Sequence, residues 1–136
     1  PRYDLKGKEI LKTQEKFYTA DHSILYAVMG YRDHQISGIL ENIVMHELLR
    51  RNFKVFTGKS GVNEIDFIGE RKNKKIYVQV AYKLTEKKTI EREFRTLTEI
   101  KDHYPKFVVS MDDLFEDNIQ GVRHIHIADF LLSNDF

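Results

Sequence analysis

NEIDFIGERKNKKIYVQVAYKL, residues 63–84, is the stretch of the chain that decides the fold. Apolar and polar residues alternate on both sides of the turn sequence GERKNKK, a pattern typical of two β-strands joined as a hairpin. Because side chains alternate between the two faces of a strand, Gln79 shares a face with Tyr77, Ala81 and Lys83. The hairpin is therefore predicted to bring Asp66 of the first strand close to Gln79 of the second.

Helical patterns flank the hairpin on both sides. From Ser37, the segment GILENIVMHELLRRN carries an apolar stripe at helical spacing and basic residues in its last turn, which favours a helix. After Thr85, apolar residues return at spacings of four, three and three, which predicts a second helix that continues to Tyr104 and Pro105. Strand composition occurs in three further segments, FKVFTG (53–58), KFVVSM (106–111) and VRHIHI (122–127).

The order helix, three strands, helix, strand, strand predicts an α/β domain with a mixed central sheet flanked by helices, built around a mostly antiparallel meander. Residues 1–36 are expected to form a lead-in segment, either irregular or an edge strand, with a short helix that Asp21 or Ser23 caps and Gly30 ends. Residues 37–136 are expected to form the main domain, and a terminal turn is expected around Phe130. One compact unit is the prediction for the whole chain.

Length and composition limit the class of protein. A chain of 136 residues with 41% hydrophobic content is long enough for one core and too short for two ordinary domains. The absence of cysteine excludes disulfides, thiolate metal sites and a cysteine nucleophile. No apolar stretch approaches the length of a membrane span, so a cytoplasmic protein without a membrane partner is expected.

Oxygen-bearing side chains on the hairpin and the first long helix suggest a metal site. Mg²⁺ prefers carboxylate and other oxygen ligands, and Glu41, Asp66 and Gln79 supply donors of this kind if the helix packs on the face that carries Gln79. Structural roles are the alternative for each residue. Glu41 would then favour the start of its helix, Asp66 would pair with Lys59, and Gln79 would be a solvated strand residue.

Several long stretches of the sequence resemble a known family. Taken together, these stretches cover nearly the whole chain: KGKEILKTQEKFYTAD (6–21), GILENIVMHELLRRNFKVFTGKSGVNEIDFI (38–68), KIYVQVAYKL (75–84), EREFRTL (91–97), HYPKFVVSMDD (103–113) and ADFLL (128–132). They resemble the C-terminal domain of unknown function found in bacterial and archaeal AAA-type ATPases, within the PD-(D/E)XK nuclease-like superfamily. The resemblance implies a restriction-endonuclease-like core and a longer parent protein with an upstream AAA ATPase domain.

The resemblance also implies roles for individual residues. Glu41 matches the acid of the first helix, Asp66 matches the Asp of the second strand, and Gln79 falls at the acid of the E-x-K motif. Ala81 falls where the motif has its lysine, so E-x-K becomes Q-x-A in this chain. Lys83, two residues further on, is a candidate for a migrated catalytic lysine.

Three functions follow as hypotheses. The first is a catalytically degenerate nuclease-like accessory domain of the ATPase that binds DNA or a protein partner. The second is an active Mg²⁺-dependent DNA nuclease that uses Glu41, Asp66, Gln79 and Lys83, with Mg²⁺ as cofactor only in this case. The third is a dimerisation or interaction module that forms a homodimer.

One further group of residues is a candidate for binding, and two other motifs are not. The candidate nucleic-acid contacts are basic residues around the hairpin and the second helix, Lys59, Lys83, Lys87, Lys88 and Arg92, although a solvated helix with i, i+4 charge pairs is the ordinary alternative. The TGKS sequence at residues 57–60 lacks the first glycine of a phosphate loop and precedes a strand, so any ATP site is expected upstream. His124 and His126 are interpreted as exposed strand residues rather than metal ligands.

Overall fold

The computed structural model describes residues 2–5, 9–11, 16–30, 36–113 and 118–134. The strands of this part of the chain are β1 (Arg2–Asp4), β2 (Glu9–Leu11), β3 (Lys54–Ser60), β4 (Asn63–Arg71), β5 (Lys74–Ala81), β6 (Lys106–Ser110), β7 (Asn118–Ile119) and β8 (Val122–His126). The helices are α1 (His22–Met29), α2 (Ile36–Arg50), α3 (Lys87–Thr98) and α4 (Ile127–Leu132). None of these helices has the length and apolar character that a membrane crossing requires.

The described strands form one mixed sheet in the order β2-β1-β3-β4-β5-β6-β8-β7. β3, β4 and β5 form an antiparallel meander, whereas β5 pairs with β6 and β6 pairs with β8 in parallel. The predicted α/β class, with a mixed sheet flanked by helices, is confirmed. The order helix, three strands, helix, strand is also the order predicted from the apolar periodicity.

Each face of the sheet packs against one long helix. On one face, Val78 and Val80 of β5 join a core that includes Leu40, Val44 and Leu48 of α2. On the other face lies a second core, which contains Tyr77 and Ala81 of β5 together with Phe94 and Leu97 of α3. The alternation read from KIYVQVAY therefore separates the two cores. It also places Gln79, which lies between Tyr77 and Ala81, on the α3 side.

A glycine allows β3 and β4 to approach each other where their register shifts. The shift lies between Phe56 and Gly58. A Cβ atom at Gly58 would lie 2.7 Å from Cδ1 of Ile68 and 3.0 Å from Cβ of Ile65. A side chain at position 58 would therefore require the buried Ile68 side chain to shift, so glycine is favoured at this contact.

Two expectations about element ends were wrong. The helix predicted after Thr85 is α3, and it ends at Thr98 rather than near Tyr104. The N–H of Ile100 bonds to the carbonyl of Leu97 and tightens the last turn. The expected terminal turn is instead a short helix, α4. The N–H of Ala128 in its first turn has no acceptor within the helix, and it donates to Nδ1 of His126 at 3.2 Å.

Candidate acidic site

Asp66 and Gln79 lie where the ladder between β4 and β5 stops. Backbone pairing between these strands ends at Phe67 and Val78. Beyond that pair, the N–H of Asp66 donates to Oε1 of Gln79 at 3.3 Å, and the N–H of Val80 donates to Oδ2 of Asp66 at 2.9 Å. Two side chains thus replace backbone partners in the gap, and the structure brings the two residues together as neighbours.

Gln79 is bonded at both ends of its amide. While its oxygen accepts from Asp66, its Nε2 donates to Oε2 of Glu93 on α3 at 3.1 Å. Glu93 in turn accepts a hydrogen bond from Nη2 of Arg92 at 2.7 Å. Gln79 is only 9% exposed. It is therefore a buried structural link between β4 and α3 rather than a solvated strand residue.

Glu41 reaches the site from the other side of the sheet. Its helix α2 packs on the Val78 and Val80 face, so the expectation that Glu41 and Gln79 share a face was wrong. Glu41 and Asp66 nevertheless meet through Lys16, whose Nζ lies 3.4 Å from Oε2 of Glu41 and 3.5 Å from Oδ1 of Asp66. One ammonium therefore joins the two carboxylates.

Lys16 was not among the residues predicted for the site. It lies 50 positions before Asp66, in a stretch with no periodicity that would relate the two residues. The cation beside Asp66 is thus Lys16 and not Lys59, which lies on β3 opposite Glu64. The only signal for Lys16 in the sequence was its position within the KGKEILKTQEKFYTAD stretch that carries the family resemblance.

The surroundings of Asp66 oppose its ionisation. Burial and the nearby Glu41 carboxylate raise the pKa of Asp66 to about 6, although the Val80 N–H and the Lys16 ammonium act in the opposite direction. For Lys16, burial lowers the pKa, but the Asp66 and Glu41 carboxylates outweigh it and the net pKa is raised. At neutral pH, Lys16 is therefore charged and Asp66 is mainly ionised.

Tyr18 and Thr19 hold the Lys16 segment against the body of the domain. The Tyr18 ring packs on Phe67 with the ring centroids 5.7 Å apart. The Thr19 carbonyl accepts a hydrogen bond from Nδ2 of Asn42 at 2.6 Å and lies 2.7 Å from Nε2 of His46. The Tyr18 hydroxyl is buried and has no hydrogen-bond partner among the described residues. Burial, with Glu41 and Asp66 nearby, raises its pKa.

The side chains at this site do not fit Mg²⁺ in their present arrangement. Mg²⁺ needs about six oxygen ligands at roughly 2.0–2.1 Å, usually including several waters. Glu41 and Asp66 already share an ammonium, and the Gln79 oxygen already accepts from Asp66. Within the described ranges, no three His, Asp or Glu side chains are grouped in a way that would hold a metal ion.

The remaining predicted residues lie away from the acid pair. Lys83 is exposed, with its ammonium 5.2 Å from the centre of the Tyr82 ring, and none of its contacts in the described part of the chain joins it to Glu41 or Asp66. Lys87 and Lys88 are exposed in the first turn of α3. Arg92 is bonded to Glu93, so it has a carboxylate partner already.

The histidines of β8 differ from each other. The expectation that His124 is exposed was wrong, since it is 7% exposed and its Nε2 lies 2.8 Å from Oγ of the fully buried Ser110. His126 is half-buried and caps α4 through Nδ1. The alternation of VRHIHI gave no means of telling a buried face from a solvated one.

Comparison with known proteins adds one relative. The chain is 36% identical over 131 residues to a Haemophilus influenzae protein described as "Uncharacterized protein". The match covers 96% of this chain but only 32% of the relative, so the chain spans about a third of that protein's length. No family model and no solved structure matches the chain.

Proposed function

We propose that this chain is a nuclease-like accessory domain of an AAA-type ATPase, with a restriction-endonuclease-like core. In this proposal, the site that would hydrolyse phosphodiesters is no longer catalytic. The observation that carries the proposal is the ammonium of Lys16, which lies 3.4 Å and 3.5 Å from the two carboxylates that would otherwise bind the catalytic metal. The acid pair is retained, but an ammonium of the chain itself offsets part of its negative charge.

The composition of the E-x-K position supports the same conclusion. Gln79 supplies a neutral amide in place of a carboxylate, and both ends of that amide are already bonded. Ala81 carries no ammonium to stabilise charge that develops on a phosphate. The loss of one preorganised charge-stabilising group commonly lowers a rate by about 10²–10³. Two changes at one site favour a binding role over hydrolysis.

Attachment to a larger protein rests on the resemblance and on the length of the relative. A domain that corresponds to 32% of a longer protein is consistent with an accessory module beside a larger unit. The ATP site would belong to that larger unit. The partner of the module would be DNA or a protein, and the exposed lysines near the start of α3 favour DNA as the first ligand to test.

A cleavage assay tests the proposal directly. Single- and double-stranded DNA are incubated with Mg²⁺ or Mn²⁺ and either the wild-type protein or Asp66→Ala. We expect no metal-dependent products from either protein. Cleavage by the wild type that Asp66→Ala abolishes would contradict the proposal. In a companion experiment, Gln79→Glu is combined with Ala81→Lys, and the appearance of cleavage would support descent from an active nuclease.

Lys16 also supports a second candidate, an active nuclease. Its ammonium lies beside the acid pair and would supply the positive charge that Ala81 lacks. In that case, wild-type protein cleaves DNA, and Lys16→Met lowers the rate by about 10²–10³ while DNA binding is retained. Lys83→Met distinguishes Lys16 from Lys83 as the catalytic lysine. If Lys16 has this role, Lys83→Met cleaves DNA at the wild-type rate. If Lys83 has it, as predicted from the sequence, Lys83→Met lowers the rate of cleavage and Lys16→Met does not.

A further inference from the structure

A groove beside the hairpin of β4 and β5 is lined by basic side chains. It has a volume of about 750 Å³, and the residues that line it are Asn52, Lys54, Glu70, Arg71 and Lys72. The acidic residue among them, Glu70, pairs with Lys75 of the neighbouring strand at 2.8 Å, so its charge is offset within the sheet. The groove is therefore positively charged.

The cations of the groove lack acidic partners. Among the described residues, no carboxylate forms an ion pair with Lys54, Arg71 or Lys72. On α3, by contrast, the exposed Arg92 pairs with Glu93 at 2.7 Å. A cation without an internal partner keeps its hydrogen-bond donors for an anion from solution. The groove is thus better suited to bind an anion than the basic face of α3.

Arg71 is held in place by neighbours that leave its charge uncompensated. Its guanidinium carbon lies 4.6 Å from the centre of the Phe53 ring, and its Nη1 donates to the carbonyl of Arg51 at 2.8 Å. A guanidinium has five N–H donors in a planar fork that matches the oxygens of a phosphate group. The contact with Arg51 leaves most of these donors available. Arg71 therefore offers an already oriented donor group to an anion in the groove.

Lys72 has a backbone conformation that lysine rarely adopts. It lies in the turn between β4 and β5, and its φ is 51°, in the left-handed region that glycine and asparagine adopt more readily. Either of these residues would make the same turn at a lower cost in backbone energy. Backbone strain of this kind is concentrated at ligand-binding and active sites. The strain at position 72 favours a role for the lysine charge beyond forming the turn.

The number and placement of these cations favour a compact anion with several charges. A single carboxylate offers one negative charge to the three cations that line the groove. Duplex DNA spreads its phosphates along a helix, and its binding requires a longer basic stripe than one end of a sheet provides. A polyphosphate concentrates several negative charges on adjacent groups. Its size and charge are those that the groove can accept.

We propose that this groove binds a polyphosphate, either free or as part of a nucleotide. The inference goes beyond the proposed function, because the groove and the acid pair lie in different parts of the sheet. Asp66 precedes Arg71 by five residues of β4, which corresponds to roughly 16 Å along the strand. The groove therefore forms a second site, whose ligand does not depend on whether the acid pair is catalytic.

Calorimetry with inorganic pyrophosphate tests the inference. The anion is titrated into the full chain without added metal ions, and we expect the wild type to bind it with a dissociation constant below about 1 mM. Lys72→Asn removes one charge from the groove and should bind about tenfold more weakly. Because asparagine tolerates the left-handed backbone, the same variant should unfold at a higher temperature than the wild type. A loss of affinity together with a gain of stability separates a binding role from a structural one.

Lys74 supplies a matched control. It is exposed at the same hairpin but does not line the groove. Lys74→Asn makes the same chemical change as Lys72→Asn and, at physiological ionic strength, should alter the affinity by less than about twofold. Equal losses in the two variants would overturn the inference, since overall charge would then explain them. Absence of pyrophosphate binding by the wild type would overturn it as well.

NMR spectra of the unmodified protein locate the site. Pyrophosphate should shift the amide signals of Asn52, Lys54 and Lys72 and leave that of Asp66 in place. Shifts confined to other parts of the chain would overturn the inference. Duplex DNA without terminal phosphates is titrated in parallel at the same phosphate concentration. Larger shifts of the groove amides with DNA than with pyrophosphate would also overturn it, because the ligand would then be a nucleic-acid backbone.

A comparison of ATP with inorganic tripolyphosphate distinguishes the two sources of the ligand. Tighter binding of ATP supports a nucleotide in the groove, and tighter binding of tripolyphosphate supports a free polyphosphate. Neither result depends on the cleavage assay. A wild type that cuts DNA contradicts the proposed function, whereas the inference is decided by polyphosphate binding at the groove.

Discussion

Asp66 is the more buried carboxylate of the acidic site, and its surroundings oppose its ionisation. It is 8% exposed, its carboxylate accepts one backbone hydrogen bond, and its strongest unfavourable neighbour is Glu41. A carboxylate whose folded pKa exceeds its unfolded pKa binds its proton more tightly in the folded protein. Ionisation of Asp66 therefore lowers the free energy of unfolding as the pH rises.

The first prediction concerns Asp66→Asn. The pKa of about 6 in the folded protein exceeds the usual 3.8, so the wild type loses stability between about pH 4 and pH 6. Asparagine does not titrate and retains an acceptor for Val80. Relative to wild type, Asp66→Asn should gain up to about 3 kcal/mol in free energy of unfolding between pH 4 and pH 7. Urea denaturation at several pH values measures the difference.

Asp102 supplies a control with the opposite sign. Burial raises its pKa, but its bonds with Lys106 and Tyr77 outweigh burial and leave the pKa lowered. Its ionised form stabilises the fold above pH 4, and this contribution is lost as the pH falls through the folded pKa. Asp102→Asn should therefore lose stability relative to wild type as the pH rises. If both variants follow the same pH trend, the assignment at Asp66 is wrong.

The neighbourhood of Asp66 was predictable only in part from the sequence. The hairpin pattern and its turn specify which strands meet, so the proximity of Asp66 and Gln79 follows from local information. The contact with Lys16 joins residues 50 positions apart and depends on how the segment around Thr19 packs against α2. No periodicity encodes such packing. The face occupied by Glu41 was mistaken because the sequence does not say which side of a sheet a helix covers.

At the level of elements, the meander depends on one close approach between strands. β3 and β4 shift register beside Gly58, where the Ile68 side chain fills the space that a Cβ would need. By contrast, a Cβ atom added at Gly38 in α2 would meet nothing within 4 Å. Two glycines in the same chain therefore give opposite expectations for the same substitution.

The second prediction compares these two glycines. Gly58→Ala should lower the free energy of unfolding by about 1–3 kcal/mol, because the new methyl overlaps Ile68 and Ile65 in a packed core. Gly38→Ala should raise it by about 0.5–1 kcal/mol, because alanine loses less backbone entropy in a helix. Equilibrium denaturation of both variants gives the comparison. Equal effects would contradict the close packing at β3 and β4.

Element types were more predictable than element ends. The apolar spacing through Phe94 and Leu97 specifies a helix, but Ile100 continues the spacing although α3 has already ended at Thr98. Ile100 remains half-buried against the same core, so it satisfies the pattern from outside the helix. The spacing of apolar residues indicates which residues face the core. It does not indicate which hydrogen bonds end the helix.

At the scale of the whole molecule, one buried arginine joins α2, the first long helix, to α4, the last helix. Arg51 follows α2, and its Nη2 donates to the carbonyl of Phe130 at 2.9 Å in α4. Its Nε donates to Glu47 at 2.6 Å. Arg50 also bonds Glu47, but the Arg50 side chain is 66% exposed whereas that of Arg51 is 7% exposed. The two arginines share a partner and differ in burial.

The third prediction uses this pair. Arg51→Met should lower the free energy of unfolding by about 2–4 kcal/mol, because buried carbonyls at the end of α4 lose their donor. Arg50→Met should cost less than about 1 kcal/mol, since an exposed ion pair contributes little. Thermal and urea denaturation measure both variants. A cost for Arg50→Met that matches that of Arg51→Met would contradict this assignment.

The fourth prediction concerns DNA binding by the intact domain. If Lys87 and Lys88 contact phosphates, each contact contributes about 0.9 to the slope of log affinity against log salt concentration for duplex DNA. The double alanine variant should therefore bind more weakly and show a slope smaller by about 2. Alanine at Lys74 and Lys101, which are also exposed, is the charge-matched control. Equal changes in both pairs would indicate that overall charge alone attracts DNA.

The strands at the two ends of the sheet limit how copies of this domain can associate. Within the described residues, β2 has three residues and β7 has two, so these two strands themselves offer only a few unpaired backbone groups. Strand addition needs a longer row of such groups, and short rims of this kind protect proteins from fibre growth. A partner that binds at these two strands must therefore be recognised more by side chains than by an added β-strand.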